Sequence, residues 1–400
     1  NATIGVDSGS SLTIGQSSLL PGSGSINGGS FTLNKELLGT LVLAGSNSLG
    51  GPVNVYQGAL RIGDSNALSS STTVTVLNGA QIQLADTNGS PINVGADLSI
   101  SGTGIFGTGA IRNISGNNTW SGNITLQELS GFAPIAVPPG VVSVAVDRPQ
   151  DTLTLSGVIR ELSVTIPMGL EKIGPGRLTL SGANTYLGAT EIYAGTLRAA
   201  HSSALGNRTT TTTVQRLVIV SEAREGQIVL NFAGQQRTVD WLPNDAPNPS
   251  EIQTAIASMI SAAGLSGSVT VTRQEIATYT QNGSRGLIGG EAGYAYAYTI
   301  TFGGGLANTT LPLTAFGRNG AEAMATFVAR GGVNVRVWDG ATLELDGSSG
   351  NLTIANKHLT LHGSVVGNAG SLRNLAGDNT WNGPVFLASD STIDVASGSL

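Results

Sequence analysis

The stretch GLEKIGPGRLTLSGANTYLGATEIYAGTLRAAHSSALG, from Gly169 to Gly206, sets apolar residues two apart and interrupts them with Gly, Pro, Asn and Ser. Leu178 and Leu180 form one such pair. Leu41 and Leu43, Ile82 and Leu84, Leu98 and Ile100, Leu343 and Leu345, and Leu359 and Leu361 repeat the spacing. A helix would need apolar residues three and four apart. Period two, with turn residues every eight to twelve positions or so, indicates short strands.

The same stretch has relatives inside the chain. Residues 176–205 align without a gap on 39–68, with 13 of 30 positions identical, and 335–387 align on 74–126 with 17 of 53 identical. The two shifts, 137 and 261, differ by 124, so the second copy contains a 124-residue insertion between about Thr211 and Asn334. The pattern G-x-N-[ST]-x-x-G recurs at Gly45, Gly116, Gly182 and Gly377, giving a basic unit of 66 to 71 residues once the insertion is removed. Tandem short strands with this period suit a β-solenoid, in which each coil leaves an edge and an apolar face open until the next coil stacks on it. At roughly 20 to 25 residues per coil, the 276 residues outside the insertion predict about twelve coils and a length of ~60 Å. Gly at coil corners supplies positive φ, and the recurring Asn is expected to stack amide on amide along one corner. Trp120, Trp381 and Tyr186 occupy one equivalent position, where an aromatic either packs inward or serves as a contact; all three are candidate contact residues.

Composition excludes other classes. The chain has 400 residues, of which 57 are Gly and 11% charged; it has no Cys and a net charge of -6. Its 40% apolar content argues against disorder, scattered Gly against collagen, and the lack of a long apolar run against a membrane-spanning segment. Three Lys and sixteen Arg make no basic stripe, so nucleic acid is not an expected partner. The chain starts at Asn1 with no leader-like segment, which fits a processed start or a piece of a longer protein.

Gly169–Gly206 resembles the autotransporter-associated β-strand repeat, also called the passenger-associated transport repeat. Its pattern of Lys-x-Gly-x-Gly, then Leu-x-Leu-x-Gly-x-Asn-Thr-Tyr, then Gly-Thr-Leu is matched by Lys172, Gly174, Gly176, Leu178, Leu180, Gly182, Asn184, Thr185, Tyr186, Gly195, Thr196 and Leu197. Residues 33–63 are a diverged copy with Leu49 in the Tyr position, and 111–126 and 372–387 carry an Asn-Thr-Trp variant. The resemblance implies a right-handed parallel β-helix in a secreted passenger or large bacterial surface protein.

Residues 211–333 change character. Gln227–Phe232 alternates, AGQQ turns, and Arg237–Leu242 returns, which reads as a hairpin. Ser250-Glu251-Ile252-Gln253 has capping-box form before a helix with Ile252, Ala255, Ile256, Met259 and Ile260 on one face. Strands are expected at 268–273 and 294–302, and the segment closes at Leu311–Ala315, so the order is ββαββ. Tyr294, Tyr296 and Tyr298 share a strand face with Ile300 and Phe302; Tyr294, at the end, is the fourth candidate contact. The segment also resembles a module of bacterial surface proteins. The expected division is 1–210 and 334–400 as β-helix and 211–333 as an inserted α+β domain.

Catalytic patterns are sparse. Gly102-Thr-Gly-Ile-Phe-Gly107 fits G-x-G-x-x-G, but no helix follows it, as dinucleotide binding requires. His358 and His362, four apart in one strand, share with Thr360 the face opposite Leu359 and Leu361 and read as solvated surface. Asp147, Asp151, Asp339 and Asp346 read as turn residues. No cofactor and no metal are expected. The sequence therefore predicts an all-β, non-enzymatic extracellular structural protein, a β-solenoid stalk or filament unit that pairs head to tail with itself. An adhesin for glycans or host surfaces, and a polysaccharide-degrading β-helix enzyme, are the alternatives. Ser391–Ser399 resembles Ala2–Ser10, which suggests that the chain begins and ends at nearly the same phase of the coil.

Overall fold

The computed structural model describes residues 1–15, 24–68, 73–85, 89–127, 140–162, 167–207, 213–221, 226–241, 247–278, 294–307, 311–319, 321–329, 334–363 and 371–400. Outside the insertion the described strands join three long parallel sheets and two short parallel pairs, Asn27–Gly29 with Ser48–Leu49 and Thr353–Ala355 with Thr380–Asn382. The first sheet has seven strands, from Ala2–Gly5 to Ile159–Glu161. The second has eleven, from Ser11–Ile14 to Val385–Leu387, and the third has eight, from Asn93–Val94 to Ile393–Val395. The chain visits the sheets in turn, which is the parallel β-helix that the period-two pattern predicts. Eleven stacked strands span ~48 Å at the usual strand spacing.

The inward residues of every coil merge into one apolar core. Leu41, Leu43, Ile82, Leu84, Leu178, Leu180, Leu343, Leu345, Leu359 and Leu361 are all fully buried within it. Coils are less uniform than the expected 20 to 25 residues. Arg177 pairs with Thr196, 19 positions on, while Ile124 pairs with Ile159, 35 positions on. The strands hold register and the corners absorb the difference, as surface connections tolerate added length.

Equivalence in sequence is not equivalence of face. Leu33–Glu36 lies in the first sheet, yet its counterpart in the second copy, Gly169–Ile173, lies in the second sheet. The second copy is turned by one face around the axis. The same correction applies to the two ends: Ala2–Gly5 is in the first sheet and Ile393–Val395 in the third, so the similar segments sit one face apart rather than in phase.

The ladder closes across the insertion. Thr190 pairs with Val335 and Thr196 with Thr342, 145 and 146 positions on; without the 124 extra residues the coil is 21 long. Within the insertion, a four-stranded and a three-stranded antiparallel sheet and the helix Pro249–Ala262 surround a separate core that includes Phe232, Ile256, Tyr298 and Phe302. The expected hairpin, helix and strands at 268–273 and 294–302 are present, but ββαββ is incomplete. Val214–Ser221 lies between Tyr294–Gly303 and Ala321–Ala329 in the four-stranded sheet. Its two described faces are both buried, Leu217 and Ile219 on one and Arg216 and Val218 on the other, so the alternation that marks a half-exposed strand is missing. The helix also starts earlier than the sequence suggests. Asn248 is the N-cap, with Pro249 at the first position and Glu251 completing the box, which frees Gln253 to accept the backbone N–H of Val271.

Candidate interaction surfaces

The repeated Asn performs one task at every copy. The Oδ1 atoms of Asn47, Asn118, Asn184 and Asn379 accept the backbone N–H of Ile26, Ile92, Ile159 and Leu352, each 21 to 27 residues earlier and so one coil back. Their amide N–H groups donate to corner carbonyls such as Ala67, Ser115, Ala204 and Ala376. This is a bridge between backbones of adjacent coils rather than the expected ladder of amides. It satisfies peptide groups that a tight corner would otherwise bury unpaired.

The aromatic that follows faces inward. Trp120 is fully buried and donates from Nε1 to the Ala96 carbonyl at 2.8 Å. Trp381 is partly buried against the core and donates to the equivalent carbonyl, Lys357, at 3.0 Å. Tyr186 is fully buried, its hydroxyl 2.6 Å from Thr190 Oγ1, and burial pushes the phenol far above its ordinary range. The folded chain thus offers no ring surface at Trp120 or Tyr186, which corrects their reading as contacts and leaves packing as their role. Tyr294 begins the strand Tyr294–Gly303; its side chain lies outside the described residues.

Sequence reasoning missed the lysines. All three lysines of the chain are buried: Lys35 and Lys172 completely, Lys357 to within 4%. Lys172 Nζ donates to the carbonyls of Ile173, Gly174 and Ala194, and Lys35 Nζ to those of Glu36, Leu37 and Gln57. An ammonium has three donors, and here all are used to clamp a turn whose third residue is left-handed, with φ 76 at Gly174 and 63 at Leu37. Burial pushes Lys172 down to about 7 and Lys35, nearer the open first coil, to about 8.

Two outward faces carry ordered side chains. On the third sheet the nearly buried Glu344 lies 3.2 Å from Arg177 and 3.3 Å from Arg198, with Arg373 at 3.9 Å; Arg198 also reaches Asp346 and Arg373 reaches Asp394. On the second sheet Glu171 and Glu191 are register partners on adjacent coils. Burial, then the neighbouring Glu191, raises the Glu171 carboxyl, while the Ser143 hydroxyl donates to it. Trp338 Nε1 donates to Glu191, and the Trp338 ring stacks between Tyr193 and His362 at 5.5 and 4.8 Å. His362 is therefore part of an aromatic stack, and His358 lies 6.0 Å from the Phe386 ring. No group of metal-binding side chains occurs among the described residues.

The acidic turn residues divide. Asp147 pairs with Arg112 on the preceding coil at 2.9 Å, and Asp151 accepts the N–H of Gly116. Asp346 accepts the N–H of Ser348, as a turn residue should. The G-x-G-x-x-G segment forms a single 3₁₀ turn, Ile105–Gly107, leading to the strand Ile111–Ser115. It holds Phe106 98% exposed. Leu38 and Leu162, also exposed, occupy the same first-to-second-sheet corner on other coils.

The insertion contains a cleft of about 600 Å³ between the strand Gln235–Trp241 and the helix Pro249–Ala262. Arg237, Thr238, Val239 and Asp240 form one wall, and Ser250, Glu251, Thr254, Ala255 and Ser258 the other. Arg237 Nε donates to Ser258 Oγ at 3.1 Å.

The passenger-associated-transport-repeat family model matches residues 38–62 and 170–199, the two copies whose corners carry the lysine clamps. The chain is 27% identical over 309 residues to the Adhesin BmaC autotransporter of Brucella suis biovar 1 (strain 1330). That alignment takes in 70% of this chain and 8% of the relative, so the chain spans less than a tenth of that protein's length. No solved structure matches it. The matched repeats, the parallel coils that carry them and the similarity to an autotransporter make this chain similar to autotransporter-associated repeat proteins of the cell surface or exterior.

Proposed function

We propose that the chain is a non-catalytic shaft segment of a surface passenger, and that residues 211–333 are an inserted domain it holds out as a lateral contact. The observation that carries this reading is the uninterrupted ladder: Thr190 meets Val335 and Thr196 meets Thr342 as though nothing lay between them. An insertion that leaves the stack intact adds nothing to the shaft, so its value lies in what it presents. The shaft role agrees with outward faces occupied by ion pairs and stacked rings. The enzyme alternative needs three carboxylates in one groove; among the described residues the third-sheet face gathers Glu344, Asp346 and Asp394, each paired with an arginine, and the second-sheet face brings two together, Glu171 and Glu191, with Glu191 held by Trp338.

Replacing residues 208–333 with a short Gly-Ser linker tests the reading. The shortened chain should keep a cooperative β-sheet unfolding transition and, displayed on a bacterial surface, lose attachment to host cells. A shortened chain that no longer folds, or that attaches as well as the full chain, overturns it.

A second reading, adhesion through the shaft itself, is favoured by the exposed Phe106, Leu38 and Leu162 along one corner; the relative is itself named an adhesin. Phe106→Ser with Leu162→Ser separates it, since attachment would fall while the insertion is intact. Head-to-tail pairing of shafts is part of the proposal.

A further inference from the structure

We propose that the cleft in the insertion accepts an extended peptide, which adds to the three-stranded sheet as a fourth strand beside Gln235–Trp241, with an acidic residue opposite Arg237 and a basic residue opposite Asp240. The inference rests on the reading of 211–333 as a contact domain and names what that domain would hold.

Three observations carry it. First, Gln235–Trp241 is an edge strand that, among the described residues, pairs only with Gly226–Phe232. Four consecutive residues, 237 to 240, line the cleft. Side chains alternate between faces along a strand, so consecutive residues share one cleft only where the strand turns its backbone edge toward it.

Second, the register states which backbone groups are on offer. The hairpin turns through Ala233 and Gly234, both at positive φ (50 and 76), the two-residue type I′ geometry. Phe232 and Gln235 then exchange hydrogen bonds across the hairpin, and so do Leu230 with Arg237 and Ile228 with Val239, by alternation. Gln236, Thr238 and Asp240 therefore point their N–H and C=O groups outward. The Gln236 carbonyl is met by Arg237 Nη1 at 2.7 Å, as this assignment requires; those of Thr238 and Asp240 meet no protein group among the described hydrogen bonds. The other edge beside the helix, Ser268–Thr278, is treated differently, because Gln253 accepts the outward N–H of Val271. Among the described residues, one edge is capped by the helix and the other is open.

Third, the helix wall facing the open edge carries one large side chain, Glu251 near its start, and is otherwise made of small ones. Ser250, Thr254 and Ser258, four apart along the helix, leave the space unfilled. Strand addition draws affinity from backbone hydrogen bonds and selectivity from the side chains opposite. Here those are Arg237 near one end and Asp240 near the other, ~10 Å apart along the strand, so a complementary peptide carries opposite charges three residues apart.

The probes are two fluorescein-labelled nonapeptides of alternating Thr and Val, with one Asp and one Lys three positions apart in either order, titrated by fluorescence anisotropy against the full chain. One order should bind saturably and at least five-fold tighter than the other. Thr238→Pro removes an outward N–H without touching the hairpin ladder, a place where an edge strand tolerates proline; it should weaken binding at least ten-fold, while Thr238→Val leaves it unchanged. The double variant Arg237→Asp/Asp240→Arg should reverse the preferred order, which keeps the test decisive if Thr238→Pro unfolds. Absence of binding, equal binding by Thr238→Pro in a folded chain, or an unchanged preference in the charge-swapped chain overturns the proposal. Loss of attachment on deleting 208–333 with no peptide binding by the full chain leaves the contact-domain reading standing and removes only this cleft.

Discussion

At the scale of the residue, the corners decide whether coils can stack. Asn184 joins the Ile159 N–H of one coil to the Ala204 carbonyl of another. Asn184→Ala should leave both buried and unpaired and cost about 1–3 kcal/mol for each group, whereas Asn207→Ala, at an exposed position, should be near neutral; denaturant unfolding of the two variants measures the difference. The recurrence of Asn was legible in the sequence and its partner was not, because an amide at a corner can bond within its coil or to a neighbour with the same spacing. Lys172 was less legible still, since a lone cation beside turn glycines reads as surface. Its folded pKa, about 7, lies below the ~10.4 of a free lysine. The unfolded chain then binds the extra proton across that window, so Lys172 and Lys35 should make stability rise with pH from about 7 toward 10, with the loss on acidification confined to that window and levelling off below the folded value. Lys172→Met should flatten this slope. An amine-reactive ester at neutral pH, followed by mass spectrometry, should modify none of the three lysines until the chain is unfolded.

At the scale of the element, alternation identified which residues face inward, but register alone reveals what the outward residues meet. Arg198 and Glu344 are 146 positions apart in sequence and 3.3 Å apart in the fold; no local pattern pairs them, because the insertion lies between. The inward prediction succeeded because each coil repeats it independently, whereas an outward pair depends on coil length, which varies from 19 to 35. The same limit hid the Glu171–Glu191 pair and the stacking of Trp338 between Tyr193 and His362. The cleft edge was half legible: the hairpin was read correctly, yet which strand stays unpaired depends on Thr314–Arg318 taking the far side of Gly226–Phe232. Glu344 supplies the prediction at this scale. Its carboxylate neutralises arginines on both neighbouring coils and is only 3% exposed, so Glu344→Ala would leave Arg177, Arg198 and Arg373 facing one another. Those arginines are each about one-third exposed, so water screens part of the repulsion and the loss should be about 1–2 kcal/mol, below the 3–5 of a fully buried pair. Added salt should reduce the difference between Glu344→Ala and the parent in thermal unfolding, and a salt-independent difference would place the cost in packing instead.

At the scale of the whole molecule, the outer coils of this 400-residue chain are built like its interior coils. Val385 and Leu387 pair in register with Leu359 and Leu361, which are fully buried, yet are themselves 39% and 61% exposed. Leu12 stands in the same relation to Leu41, 43% against 0%. In this chain taken by itself these core positions lack a covering coil, and among the described residues the outer strands pair on one side only; strand edges of that kind recruit further strands. The last strand lies in the third sheet and the first strand in the first sheet, and the chain passes from the third face to the first at each turn, so a following coil of the same kind continues the path. Purified chain should therefore associate end to end, giving particles in electron micrographs whose lengths are multiples of one shaft and a concentration-dependent sedimentation coefficient. Leu387→Lys would place a charge on the face to be covered, and Leu12→Lys would do so at the opposite end. If the contact is head to tail, either variant should be monomeric by itself and, mixed with parent, should cap growing assemblies at one end and shorten them, because every contact uses one surface of each kind. If the contact were between like ends, the Leu12→Lys chain would still dimerise through its unaltered last coil. Sedimentation of the two single variants thus separates head-to-tail from tail-to-tail pairing, and a parent chain that stays monomeric at high concentration would remove self-assembly from the proposed function.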